Sequence, residues 1–326
     1  MNRNDCLGTA RETLMDEIRR LKKEKGAVVL AHYYTEGDVQ ELADIIGDSL
    51  ALARKAAELG PEISTVVMCG VHFMGETVKV LCPGKTVLMP DLAAGCSLAD
   101  SCPADDFKAF IEAHPGHTVI SYVNTSLEVK ALSDVLVTSG NARKVVDSFP
   151  ADEKIIFGPD RNLGAYINSV TGRSMVLWDG ACHVHERFSA EGIKALKDAH
   201  PDAPVLVHPE CKRPVVLLGD KVGSTAALLD FARNSEAREF IVATESGILH
   251  EMRKACPDKS FIPAPPSAGE GGEGAPACGC NDCTYMKLNT LKALRDCLRD
   301  SAPEITVDPV QAEGALRSIN RMLALS

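Results

Sequence analysis

Laid over one another, three stretches of this 326-residue chain put polar side chains in the same slots. His32, Tyr122 and His208 occupy the first slot (122 − 32 = 90; 208 − 122 = 86). The same two offsets carry Tyr34 onto Asn124 and Glu210, and Ser49 onto Ser139 and Thr225. The second offset also carries Cys96 onto Cys182, whereas the third copy reaches Cys283 only after a longer connection. Self-similarity at a fixed period marks repeated supersecondary units. The register therefore predicts three related units that bring three polar sets and three thiols to one central axis.

Each copy opens with a short apolar, β-branched run: AVVLAHYY, HTVISYVN and APVLVHPE. Helical periodicity follows, then a second run (STVVMCG, KIIFGPD, REFIVATE), another helix and a third run (TVLMPDLAAGC, SMVLWDGAC, SFIPAPP). Strands separated by helices of this length predict parallel sheets covered by helices. The expected fold class is α/β: three pseudo-three-fold-related three-layer sandwich domains with short parallel sheets. The expected boundaries are an N-terminal helix over 1–26 packing on the body, and repeats at 27–116, 117–203 and 204–300. A C-terminal strand and helix over 301–326 would pack back on the first repeat. Helix signals include Thr9 to Lys25 stopped by Gly26, Asp105 after Pro103, and a last helix from about Pro309 to Leu323. The segment 263–282, PAPPSAGEGGEGAPACGCND, is too rich in Gly and Pro for either element, and a loop of that length in a compact protein is usually functional or disordered.

Composition narrows the function. A 45% hydrophobic, 25% charged chain is ordinary for a globular protein. No apolar stretch approaches a membrane span, and the opening MNRNDCLGTARETLMDEIRR lacks a signal-peptide core, so a cytoplasmic protein without a membrane partner is expected. In that reducing compartment twelve cysteines point to metal binding or catalysis rather than a disulfide scaffold. The net charge of −10 argues against a nucleic-acid partner and leaves small anionic substrates open, because local donors decide those.

Iron–sulfur clusters take soft thiolates, and a cluster with three protein ligands leaves one iron free for substrate. Cys96 and Cys182 stand just past apolar strands in small-residue contexts, DLAAGCS and WDGACH, where ligands gather at the carboxyl edge of a parallel sheet. In the third copy, CGCNDC offers Cys278, Cys280 and Cys283. Cys283 is preferred because it precedes TYMKLNTLKAL, read as a helix whose positive end would favour a thiolate. Cys278 and Cys280 are then accessory thiols. His183 and His185, beside Cys182, are rival metal ligands.

Ser49, Ser139 and Thr225 each precede a helical run and are read as caps that make anion sites together with the helix ends. His32, His208, Tyr34, Tyr122, Asn124 and Glu210 fall at the ends of the opening strands. Two imidazoles in equivalent slots suit proton transfer or anion binding, Glu210 suits a general base, and Tyr34 and Tyr122 suit donation to an enediolate.

These residues lie in motifs that resemble the quinolinate synthase family nearly end to end. The matching stretches include AHYY around His32, GDS ending at Ser49, CGVHFMGET from Cys69 and AGCSLAD around Cys96. They continue with YVNTS from Tyr122, TSGNA from Thr138, GPDRNLG from Gly158, HPEC from His208, GST from Gly223 and CNDCTYMKLNTL around Cys283. The resemblance implies one 4Fe-4S cluster on Cys96, Cys182 and Cys283, with one open iron as Lewis acid. It implies substrate binding by His32, Ser49, Tyr122, Val123, Asn124, Ser139, His208, Pro209, Glu210 and Thr225. Catalysis would involve Tyr34, Tyr122, His208 and Glu210. The implied reaction condenses iminoaspartate with dihydroxyacetone phosphate to quinolinate, with loss of phosphate and water, and links the enzyme to an aspartate-oxidising partner. The CxCxxC spacing departs from the family's usual third-ligand segment and leaves the roles of Cys278 and Cys280 open. Rival readings are another 4Fe-4S hydro-lyase, which would need no phosphate site, and a cluster-based redox sensor, which would tolerate loss of Glu210.

Overall fold

The structure, a computed structural model, describes residues 3–267 and 281–326. Cys278, Cys280 and most of the 263–282 loop lie outside the described residues. The expected α/β class is present as three four-stranded sheets, every pairing parallel. The first holds β1 (Ala27–His32), β2 (Ile45–Gly47), β3 (Thr65–Cys69) and β4 (Thr86–Leu88). The second holds β5 (Thr118–Tyr122), β6 (Val135–Val137), β7 (Ile155–Gly158) and β8 (Val176–Leu177). The third holds β9 (Val205–Val207), β10 (Lys221–Val222), β11 (Glu239–Ala243) and β12 (Ser260–Pro263). Each sheet has the same order, second strand, first, third, fourth. The sequence reading found three of these four strands per copy. The second strand escaped it because two or three residues carry no readable alternation.

A strand that short cannot hold its register by ladder bonds alone, and an aspartate supplies the missing constraint in each copy. The Val29 amide donates to Asp44 Oδ2 at 2.7 Å, Val119 to Asp134 Oδ2 at 2.8 Å, and Val205 to Asp220 Oδ2 at 2.8 Å. The amides of the same aspartates donate to Val29 O (2.9 Å), Val119 O (3.0 Å) and Val205 O (2.9 Å). These aspartates obey the 90 and 86 offsets (134 − 44; 220 − 134).

Helix starts also repeat, with a shift from expectation. Asp48 Oδ1 accepts from Ala51 N at 3.0 Å and Ser224 Oγ from Ala227 N at 3.3 Å, while Thr138 Oγ1 accepts from Gly140 N at 3.2 Å. The cap is thus the residue before Ser49 and Thr225, whereas in the second copy the helix Ala142–Asp147 starts later, with Asn141 at its N-cap. Those three hydroxyls do not cap the helices.

Helices lie on both faces of each sheet, but not all where the expected boundaries put them. The helix Ala104–Glu112 buries Phe107 with Val119, Val129 and Ile156 of the second sheet's core. The helix Ala190–Ala199 buries Ile193 with Val205, Val207 and Ile241 of the third. The helix Leu291–Asp300 buries Leu294, Cys297 and Leu298 with Met15, Ile18, Val29 and Val67 of the first, beside the helix Arg3–Lys25. A helix between two sheets in sequence can pack on either, and amphipathic spacing does not say which. By compactness the chain forms two units, 1–95 with 284–308 and 96–283 with 309–326, the second holding two of the sheets.

The expectation for 301–326 divides in the same way. Residues 302–305 join the first sheet, where Ile305 N donates to Val87 O at 2.8 Å. The helix Pro309–Leu325 instead packs on the helix Leu127–Leu132 and β6 of the second sheet. Gly314 permits the contact, since a Cβ there would stand 2.7 Å from the Ala131 Cβ, and Ser318 Oγ donates to Lys130 O at 2.8 Å. Among the described residues no helix is long and apolar enough to cross a membrane.

Two substitutions test this architecture. Gly314→Val overpacks the helix contact and should lower stability by about 1–3 kcal/mol, read from the melting temperature, with Gly314→Ala losing less. Asp134→Ala removes one end of a strand clamp and should cost about 1 kcal/mol in urea unfolding, the value of one hydrogen bond of this kind.

Candidate active site

Parallel sheets gather functional side chains at their carboxyl ends, and the polar slots fall there. In the first unit His32 ends β1, is buried, and takes the Tyr34 amide on Nδ1 at 3.2 Å, the two rings meeting edge-on at 4.5 Å. Ser49 opens the helix Ser49–Ala57. In the second unit Tyr122 ends β5, Ser139 follows β6, His208 follows β9, and Thr225 opens the helix Thr225–Asn234. Here the Glu210 amide points to His208 Nδ1 at 3.4 Å, the geometry of Tyr34 on His32. An Nδ1 that accepts leaves the neutral ring's proton on Nε2, where His208 faces Ser139 Oγ at 3.1 Å.

Glu210 is the centre of this group and is 2% exposed. His185 Nδ1 lies 2.8 Å from its Oε2, and the His185 and His208 rings stack at 4.6 Å. Burial alone would push this carboxyl up, but the two imidazoles and the hydrogen bonds from His185 and Tyr122 outweigh it and hold Glu210 well below the usual range. Asp160 shows the opposite outcome nearby. It is fully buried, its Oδ1 accepts from Leu163 N at 2.7 Å, and burial reinforced by the Glu210 charge pushes its carboxyl well up. Burial thus pushes Asp160 up, while its partners hold Glu210 down.

Hydrogen bonds tie together the segments that carry the three cysteines. Ser97 Oγ, next to Cys96, contacts His183 Nδ1 at 2.6 Å, next to Cys182. His185 Nδ1 lies 3.3 Å from Cys182 Sγ, and its Nε2 meets Thr244 Oγ1 at 3.0 Å. The adjacent Glu245 takes the Cys283 amide on Oε1 at 3.1 Å. The thiols feel one another. Burial raises Cys96 to about 12, opposed by the Ala99 amide and reinforced by Cys283. Burial also raises Cys182 well above the ordinary thiol value, with Glu210, Cys96 and Cys283 adding to it. All three cysteines keep some solvent-exposed surface even so. The ligand atoms of Cys182, His185 and Glu210 lie within 4.8 Å of one another and could hold a metal ion. This Cys/His/Glu group, with the Cys96 and Cys283 thiols acting on Cys182, is compatible with iron–sulfur binding.

Several readings of the sequence change here. The helix expected directly after Cys283 begins at Leu291, where Thr290 caps Ala293, so its positive end does not act on Cys283. That effect belongs to Cys96, which stands at the N-cap of the short helix Ser97–Asp100. Of the rival imidazoles, His183 is engaged by Ser97, whereas His185 stays in the group that could hold a metal ion. Val123 and Pro209 are buried in the turns after β5 and β9, and the Val123 amide is committed to Val137 O at 2.8 Å. Asn124 Oδ1 is buried without a hydrogen-bond partner among the described residues. Asp160, Thr244 and Glu245 were not anticipated. The signal was their place directly after the second runs, KIIFGPD and REFIVATE.

A family model described as "NadA: Quinolinate synthetase A protein" matches residues 16–324. A quinolinate synthase of Synechococcus sp. is 53% identical over 309 residues, 95% of this chain and 94% of that protein. The quinolinate synthase of Nostoc punctiforme is 51% identical over 323 residues, covering 99% and 97%. That of Chloroherpeton thalassium is 52% identical over 313 residues, covering 96% and 94%. With near-complete coverage at half identity or better, laid over a site of buried thiols and ionised Glu210, this chain belongs to the quinolinate synthase family of enzymes.

Proposed function

We propose that this enzyme condenses iminoaspartate with dihydroxyacetone phosphate, releasing quinolinate, phosphate and water, in a cytoplasmic setting supplied by an aspartate-oxidising enzyme. On this reading the three sheets are three equivalent domains that have diverged in their polar slots. The carrying observation is the set of hydrogen bonds that joins the Cys96, Cys182 and Cys283 segments beside the Glu210–His185 pair.

The donor set fits a cluster. Burial raises the Cys96 and Cys182 thiols, metal binding would deprotonate them, and soft thiolates are what iron–sulfur clusters use. Cys96, Cys182 and Cys283 would hold a 4Fe-4S cluster. When bound, it would supply one open, Lewis-acidic iron.

The remaining chemistry falls to the chain's own side chains. Glu210 and His185, 2.8 Å apart, form a carboxylate–imidazole couple that can take a proton from the triose and return it. The Tyr122 hydroxyl, which stabilises the Glu210 charge, can turn to a developing enolate. Ser139 and His208 Nε2 form a donor pair suited to phosphate or carboxylate oxygen. Thr225 begins a helix capped by Ser224, so its hydroxyl need not satisfy that helix end. The unpartnered Asn124 Oδ1 suits a substrate N–H or O–H, because buried acceptors are normally paired. His32, Tyr34 and Ser49 are proposed as substrate-binding groups by their register with these residues, with Tyr34 a second donor to enolate-like intermediates. Val123 and Pro209 are proposed to contribute packing surface.

Anaerobic protein given triose phosphate and freshly generated iminoaspartate should release phosphate in step with quinolinate. Glu210→Gln should lower that turnover by about 10²-fold or more, the usual scale of lost acid–base catalysis, while iron content stays at the wild-type level. Unchanged turnover would reject the assignment. Ser139→Ala should raise the KM for triose phosphate about tenfold, about the cost of one charge-assisted hydrogen bond, again with full iron content.

A further inference from the structure

We propose that Glu245 is a positioning residue for Cys283, presetting that thiol before any metal arrives; this rests on Cys283 being a cluster ligand. Cys182 follows closely on β8, and Cys96 opens the short helix Ser97–Asp100, whose Ser97 meets His183. Cys283 comes after the long Gly- and Pro-rich connection from β12 and needs another anchor. The turn leaving β11 provides one. Glu245 is fully buried, and both of its oxygens are used by main-chain amides: Oε1 by Cys283 at 3.1 Å and Oε2 by Gly247 at 2.7 Å. Its two neighbours act on the same region. Ser246 Oγ donates to Asp282 Oδ1, and Thr244 Oγ1 meets His185, which stands against Cys182. Three consecutive residues therefore hold the segments of two proposed ligands. A buried carboxylate is costly unless its lone pairs are filled, and here filling them fixes the main chain at Cys283. Groups that orient metal ligands commonly matter about as much as this: their loss costs about 10–100-fold in metal affinity.

The discriminating variant is Glu245→Gln, which keeps the side-chain volume but places an NH2 where one amide needs an acceptor. In metal-free protein, alkylation of Cys283 should quicken several-fold while Cys96 and Cys182 keep their wild-type rates. In anaerobically loaded protein, iron release to a chelator should quicken about 10–100-fold. Loss of the acceptor at the Cys283 amide should also shift the cluster's midpoint potential, an effect that loosened packing away from the cluster would not give. Equal rate changes at all three cysteines, or none at Cys283, overturn the proposal. If Glu245→Gln does not fold, Ser246→Ala carries the test: it should quicken Cys283 alkylation to a smaller degree, and an unchanged rate overturns the proposal. Full iron content in Cys283→Ser would instead reject the ligand assignment, leaving the metal-free alkylation result to stand on its own.

Discussion

The Glu210 carboxylate is 2% exposed and ionised, and a charge that far from water costs several kcal/mol unless its lone pairs are filled. The fold meets that requirement from three directions. Tyr122 reaches it from the end of β5, His208 lies two residues upstream after β9, and His185 arrives from the turn behind Cys182. Because His185 also touches Cys182 and Thr244, the groups that stabilise the carboxylate also set the surroundings of the thiols. Asp160 shows what happens with main-chain amides but no imidazole partner: burial and the Glu210 charge push its carboxyl well up.

Around this charge the scaffold is strictly repetitive and the slots are not. Sheet order and the strand-clamping aspartates repeat in all three copies. The His32 and His208 side chains share the same local bond to the amide two residues on. Where the copies differ, they differ in residue chemistry: Tyr34, Asn124 and Glu210 occupy equivalent places but offer a phenol, an amide and a carboxylate. Equivalent strand ends thus present unlike groups.

Much of this was legible in the chain. The offsets 90 and 86 locate the strand ends, and with them His32, Tyr122 and His208, because repeated local patterns fold into repeated local structure. The same offsets also carry Asp44, Asp134 and Asp220, a signal present but passed over because exposed aspartates near strands are common. Other features were not legible. The second strands are too short to show alternation, and the helix 104–112 has an apolar face that either adjoining sheet could accept. The cap stands one residue before Ser49 and Thr225, since Asp48 and Ser224 are equally good capping types, and two residues after Ser139, at Asn141.

The sequence by itself determined the α/β class, the three-fold register and the three cysteines to watch, since spacing and periodicity are properties of the chain alone. Only the tertiary structure decided that His185 joins Glu210, that Glu245 holds Cys283, and that the last helix settles on the second sheet rather than the first. These outcomes depend on which side chains meet across long separations. A buried charge selects partners by distance in space, and no periodicity along the chain records that distance.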